Sequence, residues 1–362
     1  MRILIVTDSP QMVVLVNWIN DLKKMGHEVK LATAHKKSGK LAVSNYYKKS
    51  ELYKYIAGVI NLGGIITLKN EIKKYDPDFV WFHTINSSWS WASLLVPIKN
   101  HAQKLITLHD LNSIYHAKIL EEMLDSNRKF LYFNLGLFKG ILHKLRSLII
   151  RYFLSQVRVV SIGKSQTIIL EANKILVTKR IQNYIMECRC SFADNFPKDN
   201  LILFAGRLPY KGLDLVIESV LNSSNWVLLI AGSNDLLDFT KSKLPINRYR
   251  YLGQLESEEL YSYIHKVKFV AVISQCYDNF PTIGLEALVH GSLPITTEIT
   301  GISPFCKDIS TKLVFRVNEI PNLDQLSFLF YSKDLEIKIN KKLFTDKELF
   351  FDRLFTTLLD CS

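Results

Sequence analysis

Short unbroken apolar runs alternate along the chain with stretches whose apolar positions recur at helical spacing. Arg2 to Thr7 (RILIVT) is long enough for a buried strand and too short for a helix, and Met12 to Met25 follows with an amphipathic helical period. Gly26-His27 marks a turn, and Glu28 to Ala34 reads as the next strand. This is the βαβ opening of a parallel, doubly wound sheet. Asp78 to His83 and Lys104 to His109 read as further strands, each ending in a histidine. Ligands of open α/β sheets sit beyond the carboxyl ends of strands, so both histidines occupy candidate positions. In the second half, Asn200 to Val220 reads as strand, glycine-containing loop and helix, and Lys268 to Ser274 (KFVAVIS) as a strand buried on both faces.

A chain of 362 residues suits two α/β domains, each able to bury a sizeable core. The polar, proline-containing segment Cys188 to Asn200 is the expected linker. The expected organisation is a first domain over 1–187, a second over 188–346, and a terminal helical segment over 347–362. No repeat or low-complexity tract is evident beyond the likeness of the two halves.

The densest chemistry lies in Ser274 to Gly291, SQCYDNFPTIGLEALVHG. Asp278 precedes a helix predicted over Thr282 to His290 and Glu286 lies inside it, with Pro281 expected at the first helical position and Gly291 as the stop. First-turn N–H groups have no intrahelical partner, so Asn279 to Ile283 form a natural anion seat between two acids. Gly284, costly in a helix interior, points to a ligand or backbone approaching closely. Upstream, Gly206-Arg207-Leu208-Pro209-Tyr210-Lys211-Gly212 puts two cations in a strand-to-helix loop, a pattern that can hold a diphosphate. Gly163-Lys164-Ser165 is no phosphate-binding loop, because the pattern needs glycine where Arg158 stands.

Three segments, AGRLPYKGLDLVIESV, YLGQLESEELYSYI and YDNFPTIGLEALVHGSLPITTEITG, resemble in order and separation the C-terminal half of retaining, nucleotide-sugar-dependent glycosyltransferases of family 4. RILIVT, LKKMGHEVKLAT, PDFVWFHT and ITLHD resemble the N-terminal half more loosely. The resemblance implies the GT-B fold, two Rossmann-like doubly wound domains facing an interdomain cleft, with the terminal helix crossing back to the first. It implies that Arg207 and Lys211 bind the donor diphosphate and stabilise the leaving group. Asp278 stands where the family usually has glutamate facing the donor sugar, and Glu286 matches the acid that holds the nucleotide ribose. Asn279, Phe280 and Pro281 are expected to line the sugar and phosphate. His109 matches a histidine near the reacting sugar, with Asp110 able to orient its ring. The first loop, Thr7 to Met12, lacks the family's usual glycine pair.

The implied activity is that of a hexosyltransferase, moving a sugar from a UDP- or GDP-linked donor to a glycan or lipid-diphosphate-linked acceptor. By association with the family, this belongs to bacterial surface polysaccharide assembly, such as O-antigen, capsule or exopolysaccharide. A nucleotide-sugar epimerase and a non-catalytic scaffold of the same shape remain as alternatives. No metal-ligand pattern stands out, and no cofactor is expected.

Charge adds a possible surface partner. Residues 1–190 carry 28 Lys+Arg against 13 Asp+Glu, whereas the rest carries 18 against 21. A basic first half suits an anionic partner such as a membrane face, and no nucleic acid is expected. Lys129 to Val157 interleaves cations with aromatic and aliphatic residues, which fits either an interfacial helix or a core helix with a basic solvent face. Four cations between Leu142 and Ile162 exclude a membrane span there. Five cysteines form no disulfide framework, and no leader-like apolar run follows Met1, so a cytoplasmic protein, peripheral on the inner membrane face, is expected.

Overall fold

A computed structural model describes residues 1–8, 13–33, 58–85, 89–99, 102–109, 111, 136–181, 199–206, 211–275, 277–331 and 351. These fall into two compact units, one holding the described residues up to 181 and the other those from 199 onward.

The first unit is a six-stranded, all-parallel sheet. Its strands are β1 (Arg2–Thr7), β2 (Glu28–Thr33), β3 (Phe79–Phe82), β4 (Gln103–Leu108), β5 (Arg158–Ser161) and β6 (Lys179–Arg180), in spatial order β2-β1-β3-β4-β5-β6. Parallel strands need cover on both faces, and the four residues of β3 and all but the first of β1 are buried accordingly. The helices are α1 (Val13–Lys24), α2 (Leu62–Tyr75), α3 (Gly136–Leu154) and α4 (Lys164–Ala172). Helix α1 delivers Trp18 onto Trp81 of β3, the rings stacked 5.1 Å apart. Asn61 caps α2 by accepting from the Gly64 N–H at 3.2 Å, and Asp76 closes the helix in a left-handed conformation.

The second unit repeats the plan with β7 (Asp199–Gly206), β8 (Val227–Gly232), β9 (Tyr249–Gly253), β10 (Val267–Val272), β11 (Leu293–Thr297) and β12 (Val314–Phe315). All pairings are parallel and the order is β12-β11-β10-β7-β8-β9. Its helices are α5 (Leu213–Leu221), α6 (Asn234–Lys241), α7 (Ser257–Ile264), α8 (Thr282–Val289), α9 (Ser303–Ile309) and α10 (Leu323–Ser327). Every residue of β10 and β11 is buried. The chain starts in the middle at β7, winds outward through β8 and β9, then returns to β10 and winds the other way. The reversal between β7 and β10 leaves a crevice at their carboxyl ends, the usual place for a ligand in an open sheet.

The predicted strands and helices stand within a residue or two of expectation wherever they are described. Pro281 is one place earlier than expected: it caps α8, and Thr282 opens the helix. Of the expected linker, 188–198 lies outside the described residues, as does the terminal segment 347–362 apart from Phe351, which is buried.

Candidate active site

The loops after β7 and β10 meet at the reversal point of the second sheet. Gly212 makes the meeting possible. Its φ is +94°, and a Cβ there would lie 1.9 Å from the Ile273 carbonyl oxygen, so no other residue fits without moving the end of β10. With the two backbones this close, Lys211 Nζ reaches Asp278 Oδ2 at 2.8 Å. Ser274 Oγ donates to the same carboxylate oxygen at 3.4 Å. Asp278 is held from behind as well, its carbonyl accepting the Gly301 N–H at 2.6 Å and its backbone bridging to Thr300. The two residues, 67 apart in sequence, thus form one charged pair beyond the carboxyl ends of β7 and β10.

Two further contacts that spacing did not reveal stiffen this arrangement. Gln275 donates from Nε2 to Asp214 Oδ2 at 2.9 Å, tying the β10 loop to the first turn of α5. Tyr277 donates from its hydroxyl to Asn279 Oδ1 at 3.1 Å. Burial, aided by the neighbouring Asp278 charge, pushes the Tyr277 phenol up, so it stays a donor. The acid in the first turn of α5 and the glutamine beside the acidic motif were the only sequence signals for the first of these contacts.

Helix α8 opens directly behind the pair. Asn279 and Phe280 are buried beside its start, with Pro281 as cap. Glu286 sits on the second turn, largely enclosed; burial raises its pKa, and a hydrogen bond with the Thr282 side chain offsets part of the rise. A carboxylate in that setting gains when hydroxyl donors are supplied. Gly284 corrects an expectation: a Cβ would lie 2.5 Å from Ile302 Cδ1, with Val272 and Pro294 next, so tight packing of α8 against the Ile302 side chain accounts for the glycine and no ligand or backbone approach is needed.

Arg207 and Asp110 lie outside the described residues, as do residues 9–12 of the first loop. His109 belongs to the first unit. It does not stand alone: His83 Nδ1 is 2.8 Å from His109 Nε2, and the rings stack 5.1 Å apart. His83 is fully buried against Trp81 and Trp18, at 4.5 and 5.5 Å. Burial carries the His83 ring well below its ordinary range and His109 down to about 4, so both are neutral near pH 7. The unfolded chain takes up these protons near pH 6.5 and the folded chain does not, so stability falls as pH drops from about 6.5 toward 4. Urea unfolding across that window should show the decline, and His109→Gln should flatten it; an equal slope in the variant would mean other groups cause it.

The chain has the GT-B fold, superposing on solved glycosyltransferases of that fold over 99–100% of its length. Two family models match it in succession, glycosyl transferase 4-like over residues 2–134 and glycosyl transferases group 1 over residues 191–331. Sucrose-phosphate synthase from Thermosynechococcus elongatus superposes with a TM-score of 0.70 at 14% identity, covering 100% of both chains. Anabaena HepE, solved with UDP-glucose, gives 0.66 at 11% identity, covering 99% of this chain and 100% of that one. In sequence, an uncharacterized glycosyltransferase of Methanocaldococcus jannaschii is 30% identical over 117 residues, which is 30% of this chain and 30% of that protein's own length. The group 1 segment contains Lys211, Asp278 and Glu286.

Proposed function

We propose that the chain transfers a hexosyl group from a nucleotide-sugar donor to a glycan or lipid-linked acceptor, with retention of configuration, in the assembly of a bacterial surface polysaccharide. The observation that carries the reading is the Lys211–Asp278 pair at the β7/β10 reversal, followed directly in the chain by α8, which opens without a side-chain cap and carries Glu286. A cation and a helix start without a side-chain cap suit a diphosphate, Asp278 suits a sugar hydroxyl, and the enclosed Glu286 suits the ribose diol. HepE, which has the same fold, binds UDP-glucose.

In this reading the bond from the anomeric carbon to the donor phosphate breaks, and its electron pair leaves with the phosphate oxygen. Lys211, with Arg207, holds the charge that grows there. The acceptor oxygen bonds to the anomeric carbon on the same face, and its proton passes to the leaving phosphate oxygen. No divalent metal is required, because the two cations and the helix start share the neutralisation.

A panel of UDP- and GDP-sugars should raise the melting temperature of the full chain for one donor, since binding to the folded state stabilises it by mass action. Glu286→Gln should weaken that donor by about tenfold or more, because a charged acceptor to two hydroxyls is replaced by a neutral one. Binding should also tighten as pH rises through the raised pKa of Glu286, and the variant should lack that dependence. If no nucleotide sugar shifts the wild-type chain, the reading fails.

A further inference from the structure

Helix α3 is apolar on two opposite faces. Ser147, Ile150, Phe153 and Leu154 are buried. Ile141, Leu145, Leu148, Ile149 and Tyr152 remain 48%, 51%, 49%, 39% and 60% exposed. At about 100° of rotation per residue, these five fall in one stripe roughly opposite the buried four. A core helix with a basic solvent face would present charge there; this one presents two leucines, two isoleucines and a tyrosine. A soluble surface rarely holds so many large apolar side chains in one stripe unless something covers them.

The charge on the same helix says what covers them. GLFKGILHKLRSLIIRYFL contains Lys139, Lys144, Arg146 and Arg151 and no acid. Exposed Lys144 flanks the stripe along one edge, and Arg151, anchored to Ser147 Oγ at 3.3 Å, lies along the same edge. A second copy seated on this face would set cations against cations. An anionic lipid surface meets both features at once: the stripe enters the acyl boundary, and the cations rest among the headgroups. No helix among the described residues is long and apolar enough to cross a membrane, consistent with α3 lying along a surface.

We infer that the exposed stripe of α3, Ile141, Leu145, Leu148, Ile149 and Tyr152 edged by Lys144 and Arg151, docks the chain onto an anionic bilayer. The inference gives the acceptor side of the function proposed above a place, and rests on that reading only there. Its test needs neither donor nor acceptor. The full chain is sedimented with phosphatidylcholine vesicles, with and without phosphatidylglycerol. The wild type should partition onto the anionic vesicles and only weakly onto the neutral ones. The double substitution Leu145→Glu/Leu148→Glu, made at half-exposed sites that the fold tolerates, should lower that partition by about tenfold or more while leaving the circular dichroism and the nucleotide-sugar melting shift unchanged. Lys144→Glu alone should weaken binding mainly at low salt. The inference is overturned if the wild type ignores anionic vesicles, if the double variant binds as the wild type does, or if the wild type is a dimer that this substitution separates. Vesicle binding lost in the variant with no donor recognised by either protein would sink the transferase reading and leave the docking surface standing.

Discussion

Lys211→Ala is expected to lower turnover by about 10²-fold or more, since a charge contact to the leaving phosphate is worth a few kcal/mol in the transition state. The same substitution should hardly move the melting temperature. The Lys211–Asp278 pair is about a third exposed on either side, and pairs of that kind contribute roughly 0–1 kcal/mol to folding. Separation of the two effects is the point of the experiment. A structural ion pair would show its loss in stability and leave kcat alone, whereas a leaving-group cation does the reverse. Lys211→Arg should restore part of the rate, because a cation returns but its planar fork cannot occupy the same point beside Asp278. Arg207→Ala should behave like Lys211→Ala if the two cations share the diphosphate. Unchanged kcat in both alanine variants, with folding intact, would remove the mechanism.

Much of the fold was legible because the chain's periods are clean. Ile3 to Val6 and Phe269 to Val272 are apolar without interruption, as strands buried on two faces must be, and Gly26 and Gly291 punctuate where left-handed backbone is needed, at φ +84° and +74°. The strand order was a different matter. Which strand lies beside β7 is decided by long-range pairing, and that order brings Lys211, beyond β7, to Asp278, beyond β10. The sequence motifs therefore named Lys211 and Asp278 without showing that they touch. Gly284 misled for a related reason: from sequence, a glycine inside a helix points to a ligand or backbone close by, and what lies there is the Ile302 side chain from the segment before α9. His83 and His109 end up 2.8 Å apart because β3 and β4 are adjacent and in register, Phe79 opposite Gln103 through Phe82 opposite Ile106. Twenty-six positions of separation carry no such information by themselves. Helix α3 was ambiguous in sequence because its apolar positions wrap around more than one face; burial alone tells which of them are enclosed.

Asp278→Asn should cost about 10²-fold or more in kcat/KM, since it removes a charged acceptor for a sugar hydroxyl and the counter-charge that aims Lys211. The substitution keeps the shape and loses the charge, leaving Lys211 a neutral amide oxygen in place of a carboxylate. Asp278→Glu should be milder, about tenfold, because the carboxylate returns but overshoots. The backbone cannot retreat to make room for the extra methylene: the Asp278 carbonyl is fixed by the Gly301 N–H at 2.6 Å and the residue is bridged to Thr300. A shorter acid on a pinned backbone is the arrangement this chain has, and glutamate's reach would suit a backbone set further back. A readout independent of activity is available next door. Burial is the main cause that holds the Tyr277 phenol up, and the Asp278 charge is the second, so Asp278→Asn should bring the phenol part of the way back down in an ultraviolet titration. Asp278→Glu should leave it high. If Asp278→Asn retains full kcat/KM while the Tyr277 titration moves as described, Asp278 acts on its neighbours in the loop but does not serve the donor sugar.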